Sequence, residues 1–339
     1  MKVNNDQIGL PRLALIGCGY WGKNHARNLS ALGVLDLVCD PSEAGRDLAQ
    51  TLAPNAKICS TPEEVFQCKD IDAVVIATPA ETHCDLALKA FSNGMHVAVE
   101  KPMALTYADA LKMQTAAQAH DLTLLVGHLL EYHPAIIAIK TLITDGSLGK
   151  LQYVYSNRLN FGKIRVEENA LWSFAPHDIA LILRIIGAAP IEVTCSGGDY
   201  VTPGLADINM SNFRFENGVR AHIFTSWLNP FKEQKLVIIG DKKMAVFDDT
   251  EPVNKLAVYD QYVSFNGSIP TLNKKEREII KLPTAEPLRT QSQAFLNAIQ
   301  TGQSPLTDGF SGSNVIRVLE ACQKSLNHHG QPVQLSDIN

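Results

Sequence analysis

The chain has 339 residues, 45% apolar and 19% charged, with 30 basic against 35 acidic side chains for a net charge of −5. This excludes a disordered or low-complexity chain, because there is enough apolar surface to offset the entropy of folding. It also argues against a nucleic-acid partner, which demands a dense basic surface: Lys242-Lys243 and Lys274-Lys275 are short clusters with acids nearby.

From Arg12 to Val126, short apolar runs alternate with helical patterns. The runs LALIG (13–17), VLDLVC (34–39), AKIC (56–59), DAVVIA (72–77), HVAVE (96–100) and LTLLVG (122–127) predict strands. The segments between them predict helices near 22–32, 43–53, 62–67, 82–93 and 104–120. Strands apolar throughout suit a sheet covered on both faces, and the alternation predicts a doubly wound parallel α/β sheet of Rossmann type. Beyond about residue 128 the rhythm changes. A helix is predicted at 133–145. It is followed by alternating segments, LQYVYSNRLNF, IEVTCSGG, INMSNFRFENG, VRAHIFTSWL, KLVIIGD and KMAVFDD, with tight hairpin connections at FENGVR and IIGDKKMAV. Helices are predicted at roughly 176–187, 287–301 and 311–328. The reading is therefore two domains. Residues 1–128 form the parallel α/β part, and residues 129–339 form an α+β part with a large, mainly antiparallel sheet, its carboxyl-terminal helices free to pack back on the first.

No run of 18 apolar residues predicts a membrane span, and MKVNNDQIGLPRLALIG lacks the pattern of a signal peptide. Seven scattered cysteines without metal spacing point to a reduced, cytoplasmic setting and no metal site.

Four segments carry chemistry. Gly17-Cys18-Gly19-Tyr20-Trp21-Gly22 follows the first strand and opens a helix. The first glycine allows a tight turn, the second a close approach of backbone to a pyrophosphate, and the third close helix–strand packing. Asp40, 18 residues after Gly22, stands where an acid accepts hydrogen bonds from the adenosine ribose and repels the extra phosphate of NADP. NAD is the expected cofactor. Ala77-Thr78-Pro79-Ala80-Glu81-Thr82-His83 ends the fourth strand, where sheets of this kind bind ligands; the threonines are alternatively helix caps and His83 a surface residue. Glu100-Lys101-Pro102 ends the fifth, so that Lys101 reaches the same crevice, unless it is an ordinary exposed lysine. In Leu171-Trp172-Ser173-Phe174-Ala175-Pro176-His177-Asp178, Pro176 suits the first turn of a helix. His177 then lies at the helix amino terminus as a candidate base that Asp178 orients, or as a structural histidine.

Taken together, GCGYWG, ATPAETH, EKP, GHLLEYHPA (127–135) and the His177 helix resemble the Gfo/Idh/MocA family of oxidoreductases over nearly the whole chain. The resemblance implies NAD(P)-dependent hydride transfer on a sugar or cyclitol hydroxyl. It implies that Lys101 and His177 face the nicotinamide, with Gly17, Gly19, Tyr20, Trp21, Gly22, Asp40, Ala77, Thr78, Pro79, His83, Glu100 and Lys101 around the cofactor. It also implies a homodimer or homotetramer built on the open sheet face. Many members carry an aspartate four residues before the histidine, and this chain has Ser173 there. SNRLNFGKIRVEENALWSFAPHD, SWLNPFKEQ and AVFDD are similar to a subgroup linked to nucleotide-sugar and surface-polysaccharide pathways. That similarity puts Arg158, Asn160, Arg165, Asn169, Ser173 and Asp178 near the substrate. The rival expectations are a cyclitol dehydrogenase, a redox-neutral NAD-dependent glycosidase and an NAD-binding protein without turnover.

Overall fold

The computed structural model describes residues 9–162 and 164–338; the first eight residues of the amino-terminal segment read above, and Lys163 of the SNRLNFGKI stretch, lie outside them. The described chain forms two compact units, one of residues up to His128 with Glu286–Ser313, the other of Leu129–Ala285 with the residues from Asn314 onward.

In the first unit the elements are β1 (Leu13–Ile16), α1 (Gly22–Ala31), β2 (Leu35–Cys39), α2 (Glu43–Leu52), β3 (Lys57–Cys59), α3 (Pro62–Gln67), β4 (Ala73–Ile76), α4 (His83–Ser92), β5 (His96–Val99), α5 (Tyr107–Ala119) and β6 (Leu124–Val126). The strands form one parallel sheet in the order β3-β2-β1-β4-β5-β6. All four residues of β1 and of β4 are buried, as continuous apolar runs covered on both faces require. Parallel strands put every strand-to-helix turn at the carboxyl edge. The turns after β1, β4, β5 and β6 therefore share one edge of four adjacent strands.

The second unit holds α6 (Pro134–Thr144), β7 (Leu151–Phe161), α7 (Ala170–Ile186), β8 (Glu192–Gly198), β9 (Ile208–Arg214), β10 (Arg220–Ser226), β11 (Leu228–Gly240), β12 (Met244–Asp248), β13 (Leu256–Asn266) and β14 (Ile269–Ile279). α8 (Pro287–Thr301) follows and belongs to the first unit, where Asn28 of α1 donates to Glu286 at 3.0 Å and Phe295 joins the core. The unit boundary falls within α9 (Gly309–Asn327), and β15 (Val333–Gln334) closes the second unit. Nine strands form one sheet, β14-β13-β12-β11-β7-β10-β9-β8-β15, antiparallel except for β7 beside β10.

Two expectations need correction. Pro176 does not open a helix. α7 begins six residues earlier at Ala170, where the Asn169 side chain accepts from the Trp172 amide at 3.1 Å. Pro176 sits inside the helix, leaving the i−4 carbonyl without its usual amide donor. The β13–β14 hairpin was not anticipated, since both strands carry many exposed residues and lack clean alternation. Its Asn266-Gly267 turn, with Gly267 at φ +61°, is the local signal that marks it.

α7 lies against β7, β9 and β10. A buried ion pair fixes it there. Arg158 of β7 donates through Nε and a terminal nitrogen to the two oxygens of Asp178 at 2.6 and 3.0 Å, and Ser156 Oγ donates to the same carboxylate at 2.7 Å. Removing one partner leaves the other charge buried and unpaired. Asp178→Ala is therefore expected to destabilise the protein by about 3–5 kcal/mol, read as a lowered urea midpoint. A loss below about 1 kcal/mol, the range of an exposed pair, would contradict this role.

Candidate active site

The glycine loop is shaped by close backbone contacts. Gly17 has φ +94°, a left-handed conformation that favours glycine, and a Cβ there would stand 2.7 Å from the Ala77 carbonyl oxygen. A Cβ on Gly22 would fall 2.0 Å from the Gly17 oxygen. The Cα of Gly19, by contrast, faces open space, and Tyr20 is 86% exposed. α1 has no side-chain cap and no carboxylate in its first turn, so the positive end of its dipole is uncompensated by side chains. An open glycine before an uncapped helix fits a dinucleotide pyrophosphate. Gly17, Gly19, Tyr20, Trp21 and Gly22 are the residues that would hold it.

Asp40 is buried at the end of β2. Its Oδ2 accepts from the Cys18 amide at 2.7 Å, and its Oδ1 from the Ser42 amide and hydroxyl at 2.9 and 2.6 Å. Burial acts to raise its pKa, but these donors and the charge of Arg46 outweigh it and hold the carboxyl below its usual range. Asp40 thus braces the glycine loop through one oxygen and holds Ser42 through the other. Arg46, which the sequence reading passed over, returns to donate to the carbonyls of Asp40 and Pro41.

At the end of β4, Ala77 is held by its amide to the Ile16 carbonyl at 2.8 Å, and the Thr78 and Thr82 hydroxyls meet at 2.7 Å. Pro79 is exposed. His83 is neither a surface residue nor open to a ligand: it is 1% exposed. Its Nδ1 faces the Pro102 carbonyl and its Nε2 the Thr78 carbonyl, each at 2.9 Å. Burial depresses its pKa, against the pull of the two carbonyls.

At the end of β5, Lys101 is half-buried, and the Lys101–Pro102 bond is cis. Glu100 is buried. Its Oε1 accepts from Trp21 Nε1 at 2.6 Å and meets His25 Nε2 at 2.7 Å, and its Oε2 accepts from the Lys101 amide at 3.2 Å. After β6, His128 is 1% exposed with no hydrogen-bond partner on either ring nitrogen. Burial, then the charge of Lys101, lowers its pKa to about 4 against the opposing pull of Glu100, so it is neutral near pH 7.

In the second unit the expected substrate residues divide. His177 is half-buried in the interior of α7, not at its amino terminus, so the dipole of that end does not set its charge. Asp178 does not orient it, because its carboxylate is taken by Arg158 and Ser156. Arg158 is in turn committed to that pair. Asn169 caps α7 and donates to Gln323 at 2.8 Å, where Trp172 Nε1 also donates. These three residues build the scaffold. Ser173 is buried, Asn160 is half-buried on β7, and Arg165 is half-buried and pairs with Glu168 at 3.0 Å. No group of three or more His, Cys, Asp or Glu suited to a metal occurs among the described residues.

Comparison with known proteins is consistent with this geometry. The family model described as the oxidoreductase family with an NAD-binding Rossmann fold, GFO_IDH_MocA, matches residues 11–128, and the GFO/IDH/MocA C-terminal domain model matches residues 136–246. The chain is 28% identical over 306 residues to the UDP-N-acetylglucosamine 3-dehydrogenase of Acidithiobacillus ferrooxidans, covering 90% of this chain and 94% of that one. The solved structure of that enzyme superposes with a TM-score of 0.82, covering 94% of this chain and 98% of that one at 26% identity. The NAD(+)-dependent scyllo-inositol 2-dehydrogenase of Bacillus subtilis is 24% identical over 96% of both chains. A 2,7-anhydro-N-acetylneuraminate hydratase of Mediterraneibacter gnavus is 28% identical over 60% of this chain and 57% of that one.

The glycine packing generates a direct test. Gly22→Ala drives a methyl into the Gly17 carbonyl and is expected to abolish the rise in melting temperature that NAD confers on the wild-type protein. An undiminished rise would show that the loop does not hold the dinucleotide.

Proposed function

Because the chain belongs to the Gfo/Idh/MocA oxidoreductase family, we propose that it is an NAD-dependent dehydrogenase acting on a ring hydroxyl of a sugar, carried as a nucleotide sugar. The observation that supports this best lies within the first unit. The open glycine loop after β1, the Ala77-Thr78 turn after β4 and Lys101 after β5 occupy one carboxyl edge of three neighbouring strands. The nucleotide-sugar class rests on the similarity to the UDP-N-acetylglucosamine 3-dehydrogenase over nine-tenths of the chain.

NAD, when bound, supplies the hydride acceptor. The chain supplies positioning and proton handling. His177 takes the proton of the reacting hydroxyl at an imidazole nitrogen. Lys101, on the family resemblance, is our candidate to stabilise negative charge developing on a substrate oxygen. The interior position of His177 in α7, beside the anchored Asp178, fixes the backbone that carries the base. Asn160 and Arg165 are our candidates for substrate contact, since Arg158, Asn169 and Asp178 are buried and engaged within the protein.

Two further points belong to the proposal. The seven cysteines are all free thiols, which supports a reducing, cytoplasmic setting, and no helix among the described residues is long and apolar enough to cross a membrane. Val263, Phe265, Ile269 and Leu272 of the β13–β14 hairpin are 49 to 69% exposed, which supports a homodimer or homotetramer.

Lys101→Ala and His177→Ala are each expected to lower turnover by about 10²-fold or more with NAD affinity nearly intact. Full turnover in either variant would remove that residue from the chemistry. Asp40→Ala is expected to weaken NAD binding and reduce discrimination against NADP. Titration of both cofactors checks this, and unchanged affinities would take Asp40 out of the ribose contact.

A further inference from the structure

We propose that Glu100, His25 and Trp21 form a positioning device that couples occupancy of the glycine loop to the placement of Lys101. The inference rests on the reading of Lys101 given above and explains how that side chain is set in place.

Glu100 is 8% exposed and His25 3%. The carboxylate gathers three donors from three places: the indole N–H of Trp21 at the cap of α1, the ring of His25 one turn into α1, and the backbone N–H of Lys101 itself. A carboxylate only accepts, so His25 donates through Nε2. Burial alone would favour protonated Glu100. The hydrogen bond and charge of His25, with the charge of Lys101, reverse this and lower its pKa. The far side is closed as well, since a Cβ on Gly127 would stand 3.0 Å from Oε2 and 3.1 Å from the Glu100 Cα. On the other flank of Lys101, the neutral His83 ring sits between the Pro102 and Thr78 carbonyls, each 2.9 Å from a ring nitrogen, and its one N–H donates to one of them.

Lys101 therefore follows an anchored neighbour, Glu100, and one of its anchors is the loop residue Trp21. A dinucleotide that orders Trp21 and the first turn of α1 moves the donors of Glu100, and Glu100 holds the Lys101 amide. The bonds from Trp21 and His25, at 2.6 and 2.7 Å, are short charge-assisted bonds, and the Lys101 amide joins the same carboxylate at 3.2 Å, so a displacement of Trp21 is passed through Glu100 to Lys101. Small displacements matter here, because misplacing a catalytic group by 1 Å can cost about 10²-fold in rate.

The test uses ADP-ribose, which fills a dinucleotide loop yet has no nicotinamide to cover Lys101. The readout is the rate at which Lys101 in the full chain is acetylated by acetic anhydride, followed by peptide mass spectrometry. In the wild-type protein, saturating ADP-ribose is expected to change that rate by about fivefold or more, the lower range of coupling between linked sites. In Glu100→Gln and His25→Gln the change is expected to vanish while calorimetry still shows ADP-ribose binding. Trp21→Phe removes one N–H at a partly exposed residue, so it decides the matter if the buried variants do not fold. An unchanged acetylation rate in the wild-type protein overturns the inference, as does an equal response in wild type and variants. The role of Lys101 in turnover is judged separately by Lys101→Ala. Loss of turnover there with an intact ADP-ribose response in Glu100→Gln would refute the coupling alone.

Discussion

Parallel strands deliver every strand-to-helix turn to the same edge of a sheet, and the chemistry of the first unit follows from that constraint. Residues as far apart in sequence as Gly19, Thr78, Lys101 and His128 are brought to the carboxyl edge of β1, β4, β5 and β6. The strands themselves have no say in function. They are apolar because both faces are covered, and their regularity makes the edge rigid. What distinguishes this edge is that several of its polar side chains are bonded within the protein, to backbone as well as to one another. Asp40 holds the Cys18 amide, Glu100 gathers α1 and the Lys101 amide, and the His83 ring sits between two carbonyls. Such closed networks are costly to leave half-made in a low-dielectric interior.

The second unit solves the same problem with different means. α7 carries two adjacent residues of contrasting roles, and the helix geometry separates them by about 100°. Asp178 points into the sheet and is consumed by Arg158 and Ser156, while His177 is left half-buried. A buried ion pair is a poor source of stability compared with apolar packing, but it fixes orientation strongly, since either partner alone is penalised. The helix is thereby pinned one residue away from the proposed base.

Much of the architecture was legible because periodicity reports burial directly. LALI and AVVI read as doubly covered strands and are so, and LQYVYSNRLNF is a strand over its full length. The start of α7 was missed because proline favours first turns, and tertiary packing overrode that preference once Asn169 supplied a cap. The β13–β14 hairpin lacked a buried face to imprint alternation. Polar residues were the hardest to read. A sequence shows that Asp178, Asn169 and Glu100 are polar. It does not show that their partners wait 20, 154 and 75 positions away in Arg158, Gln323 and His25. His25 carried a faint signal in its place three residues beyond Gly22, one helical turn along the face that packs on the sheet. His128 carried none.

The central claim is that a hydrogen leaves a sugar ring carbon as hydride and arrives on a nicotinamide held at this edge. Its most direct measurement is isotopic: incubate the full chain with NAD and UDP-N-acetylglucosamine fully deuterated on its sugar ring, then analyse the recovered cofactor by mass spectrometry. The account predicts reduced cofactor carrying one deuterium, with the label lost in Lys101→Ala and His177→Ala. Recovery of unlabelled cofactor from the wild-type protein, under conditions where the nucleotide sugar is bound, would contradict it.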